Sequence, residues 1–403
     1  MYCDGVIIGA GIIGSALAYE LASRGAKNLH VLDPDLAGAL SATERNAGGV
    51  RHLWQHPINV ELSRASIALF RRIHDRIGFQ QTGYLWLHAR GSEAEARQTL
   101  EVARARGLDY EEWSVADIRT RYPFIDRTDD LALGIFGPRD GLINSNALKQ
   151  YYRDEAKRLG VTFHDRRWVT SISEAGNSAW VEALSVGSEE EAATALGHPE
   201  GVRRGRATPE VIECGFVALC AGAWMSRLLS GLLDKPLVRP VRRQISVFRA
   251  EGFDMTPYGM VVDTSRVYFH PEGGKILAGR VVADEPDGFS QGYDPDFFET
   301  QLWPALYERS SSLERLRHVT GWGGLYSYTP DMTGILGRLP GYKRIFESHG
   351  YTGRGVMQSY GAALAAADLI LEGRFSRLDG SVLSRERFRQ PASDGWLSEG
   401  LHI

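Results

Sequence analysis

The order of apolar and polar residues predicts parallel-type strands at both ends of the chain and antiparallel strands through its middle. Continuous apolar runs are typical of strands buried on both faces, and they occur at 6–8, 29–33, 216–220 and 345–349. Apolar positions spaced three to four residues apart predict helices, at 15–24, 57–77, 93–106, 115–121, 146–159, 294–316 and 356–371. β-rich stretches bounded by turn residues predict further strands, at 83–88, 131–136, 161–172, 236–248, 261–269 and 275–282. We therefore expect an α/β fold with an α+β second domain, in which a Rossmann-like domain is interleaved with an antiparallel-sheet domain.

The same pattern predicts how the two domains share the chain. We expect residues 1–82, 140–235 and 320–403 to form the Rossmann-like domain, and residues 83–139 and 236–319 to form the antiparallel-sheet domain. Residues 184–210 are set apart, because they combine three consecutive glutamates with glycines, a proline and the run Arg203-Arg204-Gly205-Arg206. This composition predicts an exposed insertion and favours a solvated loop or hairpin tip over a partner-binding segment.

The first thirty-three residues contain a glycine-rich turn between a predicted strand and a predicted helix. Gly9, Gly11 and Gly14 have the G-x-G-x-x-G spacing of a dinucleotide-binding turn, with Ile12 and Ile13 between the last two glycines. Asp33 ends the second strand, where a carboxylate accepts hydrogen bonds from a ribose diol. The motif predicts FAD or NAD rather than NADP; an ordinary βαβ unit without a ligand is the alternative.

Composition narrows the class of protein further. The chain has 403 residues, 43% of them hydrophobic, and a formal net charge of −4. This length favours two domains, and the charge gives no basic footprint for nucleic acid. The three cysteines match no metal or disulfide spacing. Because no run of 18 apolar residues occurs, we expect no membrane span and a cytoplasmic protein.

Two further glycine-containing stretches carry candidate chemistry. Residues 41–52 are rich in serine, threonine and glycine, so their backbone N–H groups are suited to phosphate or flavin, although a plain flexible connection explains them equally well. Residues 350–355 form a second glycine turn, which opens the last long helix.

Motifs in a fixed order carry a resemblance over nearly the whole chain. They are the first glycine turn with Asp33, residues 45–51, Gly83-Tyr84-Leu85, Asp140-Gly141, residues 219–224, Thr329-Pro330-Asp331 and residues 350–355. In this order the motifs resemble the D-amino-acid oxidase / sarcosine oxidase superfamily of FAD-dependent oxidoreductases. The resemblance implies that FAD is the cofactor, that the Rossmann-like domain binds it, and that the antiparallel-sheet domain binds the substrate.

The resemblance also implies which residues contact FAD. The ADP half would be held by the first turn with Asp33, and the pyrophosphate and flavin by the following loop. Val169 would contribute backbone to the adenine region. The implied set is Gly9, Gly11, Ile12, Ile13, Gly14, Asp33, Thr43, Arg45, Asn46, Gly48, Gly49, Val169, Ala221, Gly222, Trp224, Gly353, Arg354, Gly355, Val356 and Met357.

The second glycine turn has a physical reason to lie at the pyrimidine edge of the flavin. Reduced flavin is often anionic at N1, and a helix N-terminus offers N–H groups and about half a positive charge. A plain glycine turn that caps a core helix is the alternative.

Three residues are implied to act at the substrate. Arg51 resembles the family's carboxylate-binding arginine, since a guanidinium grips a carboxylate with two parallel bonds. A surface or cofactor-phosphate arginine is the other interpretation. Tyr326 resembles an aromatic wall residue of sarcosine oxidases, although buried tyrosines are usually core residues. Arg354 stands where those enzymes carry a histidine, and Met357 where they carry a lysine, which argues against sarcosine itself.

Covalent flavin attachment in relatives uses a cysteine or a histidine at positions that here resemble Gly324 and Asn46. We therefore expect non-covalent FAD. Lys275 lies two residues before the position of the oxygen-activating lysine, so we assign it no role.

The function implied is oxidation of an amino acid or an N-substituted amino acid. A hydride would pass from carbon to flavin N5, water would hydrolyse the imine, and O2 or an electron carrier would reoxidise the flavin. The alternatives are a 2-hydroxy-acid or glycerol-phosphate dehydrogenase, and an assembly-type flavoprotein or subunit of a heteromeric dehydrogenase. The expected ligand is a small carboxylate-bearing amine, and a homo-oligomer or a heteromeric partner stays open.

Overall fold

Two large sheets and a layer of helices form the fold in this computed structural model, which describes residues 2–198, 209–235, 237–282 and 284–401. The strands of the described residues are β1 (Tyr2–Ile8), β2 (Leu29–Leu32), β3 (Gly49–Val50), β4 (Tyr84–Ala89), β5 (Glu111–Trp113), β6 (Leu131–Gly137), β7 (Gly141–Leu142), β8 (Thr162–His164), β9 (Arg167–Ala175), β10 (Ser178–Ser185), β11 (Glu210–Leu219), β12 (Arg239–Ala250), β13 (Met260–Val262), β14 (Val267–Glu272), β15 (Lys275–Arg280), β16 (Leu316–Tyr328), β17 (Ile335–Arg338) and β18 (Ile345–His349). The α-helices are α1 (Ile12–Ser23), α2 (Pro57–Arg72), α3 (His74–Ile77), α4 (Glu93–Arg104), α5 (Val115–Arg121), α6 (Ser145–Arg158), α7 (Glu189–Gly197), α8 (Met225–Leu229), α9 (Trp303–Arg309), α10 (Gly355–Glu372) and α11 (Ala392–Gly395).

The first sheet has the order β17–β18–β11–β1–β2–β8, and β1 runs parallel to both β11 and β2. The antiparallel strands β10 and β9 continue it beyond β11. Successive side chains of a strand point to opposite faces, so Ile7 packs among residues of α1, α2 and α10, whereas Val6 and Ile8 pack in the core on the other face. These buried faces explain the continuous apolar runs in the sequence.

The second sheet has the order β16–β12–β15–β14–β13–β4–β6–β5. Its pairs are antiparallel except for β13 with β4, which joins the early strands of the chain to the late ones. The second sheet therefore combines strands from two parts of the chain, β4–β6 and β12–β16. Strands β8–β11, which lie between these parts in sequence, belong to the first sheet. The predicted α/β fold with an interleaved antiparallel sheet is confirmed, while the exact domain boundaries stay a prediction.

Two stretches show how the structure departs from the predicted elements. The helix expected over 294–316 is divided into a π-helical turn at Phe298–Leu302, α9, and a 3-10 turn at Ser311–Leu313. Strand β16 was not predicted, because glycines at 321, 323 and 324 interrupt its apolar pattern. Pairing with β12 stabilises this strand, although its own residues disfavour it.

The segment 184–210 includes a helix as well as loop. Ala192 and Leu196 of α7 are buried, and residues 199–208 lie outside the described residues. The expectation of an exposed insertion thus stays a prediction for the arginine-rich part.

No helix in the described ranges is both long and apolar enough to cross a membrane.

Candidate functional site

A cavity of about 640 Å³ lies between the two sheets, at the carboxyl ends of β1, β2 and β11. The crevice beyond the carboxyl ends of parallel strands is the usual ligand site of such sheets. One wall comes from the first glycine turn and Asp33, and the opposite end from the second glycine turn before α10. The two turns, more than 300 residues apart in sequence, therefore border one space.

The first glycine turn packs too tightly for side chains at two of its three glycines. Gly9 has a φ of +100°, and an added Cβ would lie 2.6 Å from the carbonyl oxygen of Cys220. A Cβ on Gly14 would overlap the carbonyl oxygen of Gly9. Beside Gly11, in contrast, only the Thr43 hydroxyl comes within 4 Å, at 3.8 Å. The turn thus leaves room for a ligand at Gly11 alone, which is where a pyrophosphate would approach the backbone.

Asp33 is held at the edge of the cavity by backbone N–H groups. Its carboxylate accepts hydrogen bonds from the N–H of Ala10 at 2.6 Å and of Asp35 at 2.8 Å. Burial outweighs these bonds and raises the pKa of Asp33 to about 6. A buried carboxylate in this state gains from new donors, such as the two hydroxyls of a ribose.

The loop after β2 is tied to both the first turn and the second sheet. The Thr43 hydroxyl accepts a hydrogen bond from the N–H of Ile12, the first residue of α1, at 3.1 Å. Arg45 donates to the carbonyls of Gly323 and Gln291, and its own carbonyl accepts from the Trp322 indole at 3.1 Å. The guanidinium of Arg45 is thus engaged in fixing the loop against β16.

The far side of the cavity is formed by β9, α7 and the turn after β11. Val169, Ala221, Gly222 and Trp224 all border the cavity there. The Trp224 indole donates to the carbonyl of Leu196 at 2.8 Å, which connects α7 to this wall.

One face of the second sheet supplies an aromatic wall. Tyr84, Tyr268, Tyr326 and Met260 line the cavity from neighbouring strands. Gly353 has a φ of +78°, and a Cβ there would lie 2.5 Å from the Tyr326 ring. Burial raises the pKa of Tyr326 to about 12 and those of Tyr84 and Tyr268 further, so these hydroxyls stay protonated.

Arg51 lines the cavity, and its donors point to carbonyl groups. It donates to the carbonyl of Leu53 at 2.7 Å and to the carbonyl of Leu401. Its guanidinium lies 3.7 Å from the ring centre of Trp54 and 4.5 Å from that of Trp86. Burial lowers the pKa of Arg51, and Tyr84 and Glu399 oppose that shift. The side chain is therefore locked in place between two indole rings.

Arg354 is buried to 2% exposure, and its guanidinium has unused donors. Among the described residues, none of its three side-chain nitrogens finds a hydrogen-bond partner, although the group lies 5.0 Å from the ring centre of Trp54. Burial is the main cause that lowers its pKa, to about 10, and the Glu399 carboxylate opposes the shift. A buried guanidinium without hydrogen bonds costs several kcal/mol, of the order of 3 to 5 for a buried charge left unpaired. Such a group is suited to receive an anion.

The structure brings most of the sequence-predicted residues together around one cavity. Twenty residues of the predicted set border it: Gly9, Gly11, Ile12, Ile13, Asp33, Thr43, Arg45, Asn46, Gly49, Arg51, Val169, Ala221, Gly222, Trp224, Tyr326, Gly353, Arg354, Gly355, Val356 and Met357. The other two, Gly14 and Gly48, stand behind the wall and shape the turns. The role of each residue at a ligand stays a prediction.

Sequence reasoning missed several residues of the same wall. Arg243, Tyr268 and Met260 line the cavity from β12, β14 and β13, and His349 lines it from the end of β18. Their strands were expected, but which of two alternating faces borders the cavity depends on sheet packing. Lys275, by contrast, does not line the cavity and lies opposite Glu272 in the strand register, at the hairpin between β14 and β15.

Comparison with known proteins identifies the family. Residues 4–369 match the model of the family described as DAO, FAD dependent oxidoreductase. The chain belongs to this family. The cofactor of the family is FAD, and the cavity fits it: the space beside Gly11 is open, the Asp33 carboxylate borders the cavity, and the N-termini of α1 and α10 face the same space.

The chain is similar to several characterised or named proteins along almost its whole length. FAD-dependent oxidoreductase domain-containing protein 1 of Xenopus laevis is 28% identical over 416 residues, which cover 96% of this chain and 82% of that protein. Monomeric sarcosine oxidase of Bacillus sp. (strain NS-129) is 23% identical, with 95% of this chain and 96% of that protein covered. The crystal structure of L-proline dehydrogenase from P. horikoshii superposes with a TM-score of 0.82 at 20% identity, over 96% of this chain and 98% of that one. The last likeness shows a shared fold.

Proposed function

We propose that this protein binds FAD non-covalently and oxidises a carboxylate-bearing amine, either an amino acid or an N-substituted amino acid. The observation that carries the proposal is Arg354, a buried guanidinium with unused donors at the wall of the cavity. Similarity to monomeric sarcosine oxidase, whose name states an amino-acid substrate, supports the same class.

The residues that would hold FAD follow from the shape of the cavity. The turn at Gly9 and Gly11 would receive the pyrophosphate at the N-terminus of α1, and Asp33 would accept the ribose hydroxyls. The N-terminus of α10, which begins at Gly355, would meet the pyrimidine edge, since only Ile12 lies within 4 Å of a Cβ built there. When bound, FAD supplies a two-electron acceptor that takes a hydride from the carbon next to nitrogen.

Arg354 is the residue we assign to the substrate carboxylate. A carboxylate would satisfy a guanidinium that the folded chain leaves without hydrogen bonds, and two parallel bonds would fix the orientation of the α-carbon. The sequence analysis assigned this role to Arg51. In the structure, however, two nitrogens of Arg51 donate hydrogen bonds to the carbonyls of Leu53 and Leu401. It adds positive charge and holds Trp54, against which Arg354 also lies.

The tyrosines of the wall position the amine and exclude water. Tyr84, Tyr268 and Tyr326 keep their protons because burial raises their pKa, so they offer hydroxyl groups rather than bases. The substrate amine would react in its neutral form and lose a hydride, which gives an iminium ion. Water would then hydrolyse this ion to a carbonyl compound and to ammonia or an amine. The two electrons pass onward to O2 or to an electron carrier.

Non-covalent FAD is supported by the side chains around the cavity. Cys220 borders it and packs on the first glycine turn, and burial raises the pKa of this thiol to about 12, which makes it a poor nucleophile. Precipitation of the purified yellow protein with acid should leave FAD in the supernatant. Yellow precipitate would contradict this part of the proposal.

Anaerobic bleaching of the flavin absorbance band tests the reaction. We expect primary and N-substituted amino acids to bleach the band and 2-hydroxy acids to leave it unchanged. Arg354→Met should raise the concentration for half-bleaching by about 10- to 100-fold, since a charge-assisted hydrogen bond contributes about 1.5–3 kcal/mol. Bleaching by 2-hydroxy acids alone would favour a hydroxy-acid dehydrogenase.

The control is Arg249→Met, which removes an exposed arginine of β12 that does not border the cavity. The variant should bleach like the parent protein. A protein that never bleaches with any donor, but co-purifies with a partner, would instead indicate an assembly-type flavoprotein or a subunit of a heteromeric dehydrogenase.

A further inference from the structure

Arg243 is a second buried arginine at the substrate end of the cavity, and no role has been assigned to it. It is 9% exposed and lines the cavity from β12. Its Nη1 donates to the carbonyl of Arg242 at 2.9 Å, and its Nη2 donates to the hydroxyl of Tyr328. Its Nε has no hydrogen-bond partner among the described residues. Arg243 thus keeps one unused donor beside the cavity.

Arg242, the preceding residue of the same strand, has its charge balanced by carboxylates of the fold. Arg242 points to the other face of β12 and pairs with Glu285 and Asp294. Arg243 has no such partner: within the described chain, the only acidic residues that line the cavity are Asp33 and Asp35, at the ribose end. Ion pairing within the fold therefore does not explain Arg243.

An aromatic ring of the neighbouring strand lies near this side chain. Arg243 lies opposite Gly324 in the register of β12 with β16, and Tyr326 follows two residues later on the same face. The guanidinium of Arg243 lies 5.8 Å from the ring centre of Tyr326, whose position also borders Gly353 and hence Arg354. Tyr326 thus lies near Arg243 and near the residue that precedes Arg354.

The charge at this end of the cavity is strongly positive. Arg51, Arg243 and Arg354 all lie at its wall and are buried. Glu399 acts electrostatically on both Arg51 and Arg354, as do Asp140 on Arg51 and Asp331 on Arg354, but none of these carboxylates lines the cavity. The pyrophosphate of FAD would not supply the missing negative charge, because Gly11 and α1 would hold it beside the first sheet. The anion that balances Arg243 must come with the substrate.

We propose that the substrate carries a second carboxylate, which Arg243 binds while Arg354 binds the first. The substrate class is then an amine with two carboxylates, such as an N-substituted acidic amino acid or an iminodicarboxylate. This inference rests on the proposed function, since it uses the same site and the same oxidation of a carbon–nitrogen bond.

Ligand binding tests the inference without turnover. The FAD-loaded protein is titrated with malonate, succinate and glutarate, and in parallel with acetate, propionate and butyrate, while the flavin absorbance spectrum is recorded. We expect at least one dicarboxylate to bind about 10- to 100-fold tighter than every monocarboxylate, because two charge-assisted contacts replace one. Equal affinity for both series would overturn the proposal.

Variants at Arg243 assign the second contact. Arg243→Met should remove the advantage of dicarboxylates and leave monocarboxylate affinity unchanged, and Arg243→Lys should restore part of it. Arg249→Met, on the same strand but exposed, is the matched control and should change neither series. Retained FAD and an unchanged circular dichroism spectrum show that the variants fold. If Arg243→Met weakens both series equally, or releases FAD, Arg243 serves the cofactor or the fold and the proposal is wrong.

Bleaching with substrates separates this inference from the proposed function. N-methylglutamate, N-methylaspartate and iminodiacetate are compared with sarcosine, N-methylalanine and proline. Faster bleaching by a dicarboxylate amine than by the monocarboxylate amines supports both the oxidation and the second carboxylate, provided that Arg243→Met abolishes this preference. Bleaching by monocarboxylate amines alone upholds the oxidation but overturns the second carboxylate. Absence of bleaching by every amine, with tight dicarboxylate binding, would overturn the oxidation and keep the anion site.

Discussion

Two ionisable side chains, Asp33 and Arg354, lie at the ends of the cavity, and burial disfavours the charged form of each. The Asp33 carboxyl has a raised pKa because burial penalises its charge, and the Arg354 guanidinium has a lowered one for the same reason. Both would gain from a ligand of complementary chemistry: ribose hydroxyls for the carboxylate and a carboxylate for the guanidinium. Perturbed groups of this kind cluster at functional sites.

The raised pKa of Asp33 predicts a pH-dependent affinity for FAD. Ribose hydroxyls donate to the ionised carboxylate, so FAD binding should lower its pKa and release a proton. Affinity should therefore rise with pH between about 4 and 6 and level off above the pKa of about 6. Titration of the cofactor-free protein with FAD, followed by quenching of flavin fluorescence, measures this.

Asp33→Asn is the matched variant for that titration. It should weaken FAD binding by about 10- to 100-fold at pH 7.5 and remove the rise between pH 4 and 6. A profile that keeps the same slope in the variant would show that another group is responsible.

At the scale of elements, the glycines of the turn between β1 and α1 have different roles: one is needed for packing and another leaves space for a ligand. Gly14 is required by the fold, since a Cβ there would overlap the Gly9 carbonyl, whereas the space beside Gly11 is open. The two glycines of one motif therefore serve different purposes.

Alanine substitutions should distinguish these purposes. Gly14→Ala should lower the free energy of unfolding of the cofactor-free protein by about 2 kcal/mol, because backbone has to move. Gly11→Ala should change that stability by less than about 0.5 kcal/mol. It should nevertheless weaken FAD binding by at least about 10-fold, because the Cβ occupies the approach to the phosphates.

Urea denaturation of the cofactor-free variants and FAD titration together give both quantities. Equal loss of stability in the two variants would contradict the separation.

At the scale of the whole molecule, the last described residues contact residues 51–59, the stretch that contains Arg51. The carbonyl of Leu401 accepts from Arg51, and the Gly400 N–H donates to the Gln55 side chain at 2.6 Å. Glu399 accepts from the N–H of Gln55 and from Asn59. This C-terminal segment, residues 396–401, therefore buries and orients Arg51.

Removal of residues 396–403 should change the substrate site and spare the cofactor site. No cavity-lining residue in the described chain lies beyond Met357, so FAD should stay bound. Carboxylate ligands should bind at least about 10-fold more tightly, because the deletion removes the Glu399 carboxylate that acts on Arg51 and Arg354 and frees the Arg51 donor that Leu401 occupies.

A chain ending at Leu401 is the control and should bind like the full chain. Loss of FAD from the longer deletion would show instead that the segment supports the whole fold.

The sequence by itself determined the elements whose signal is local. The apolar runs of β1, β2, β11 and β18, the glycine turn with Asp33, and the start of α10 after Gly353 all rest on residues a few positions apart. These signals suffice for the α/β class and for an expected FAD or NAD site. Family resemblance narrows the cofactor to FAD and extends the prediction to most of the cavity wall. Strand β16 was missed because its glycines carry no strand signal of their own.

Tertiary structure alone decided which side chains meet at the substrate end. In sequence Arg51 resembles the family's carboxylate ligand, but in the fold it donates to the carbonyls of Leu53 and Leu401. Among the described residues, no hydrogen-bond partner is found for the guanidinium of Arg354. The sequence did not identify Arg243 as a cavity residue for a similar reason. Arg242 and Arg243 are adjacent arginines of one strand, and only the packing of the sheet decides which of them faces the cavity. Whether a buried arginine finds hydrogen-bond acceptors depends on groups that lie hundreds of residues away in sequence. Only the folded chain therefore shows which arginine still has donors for a ligand.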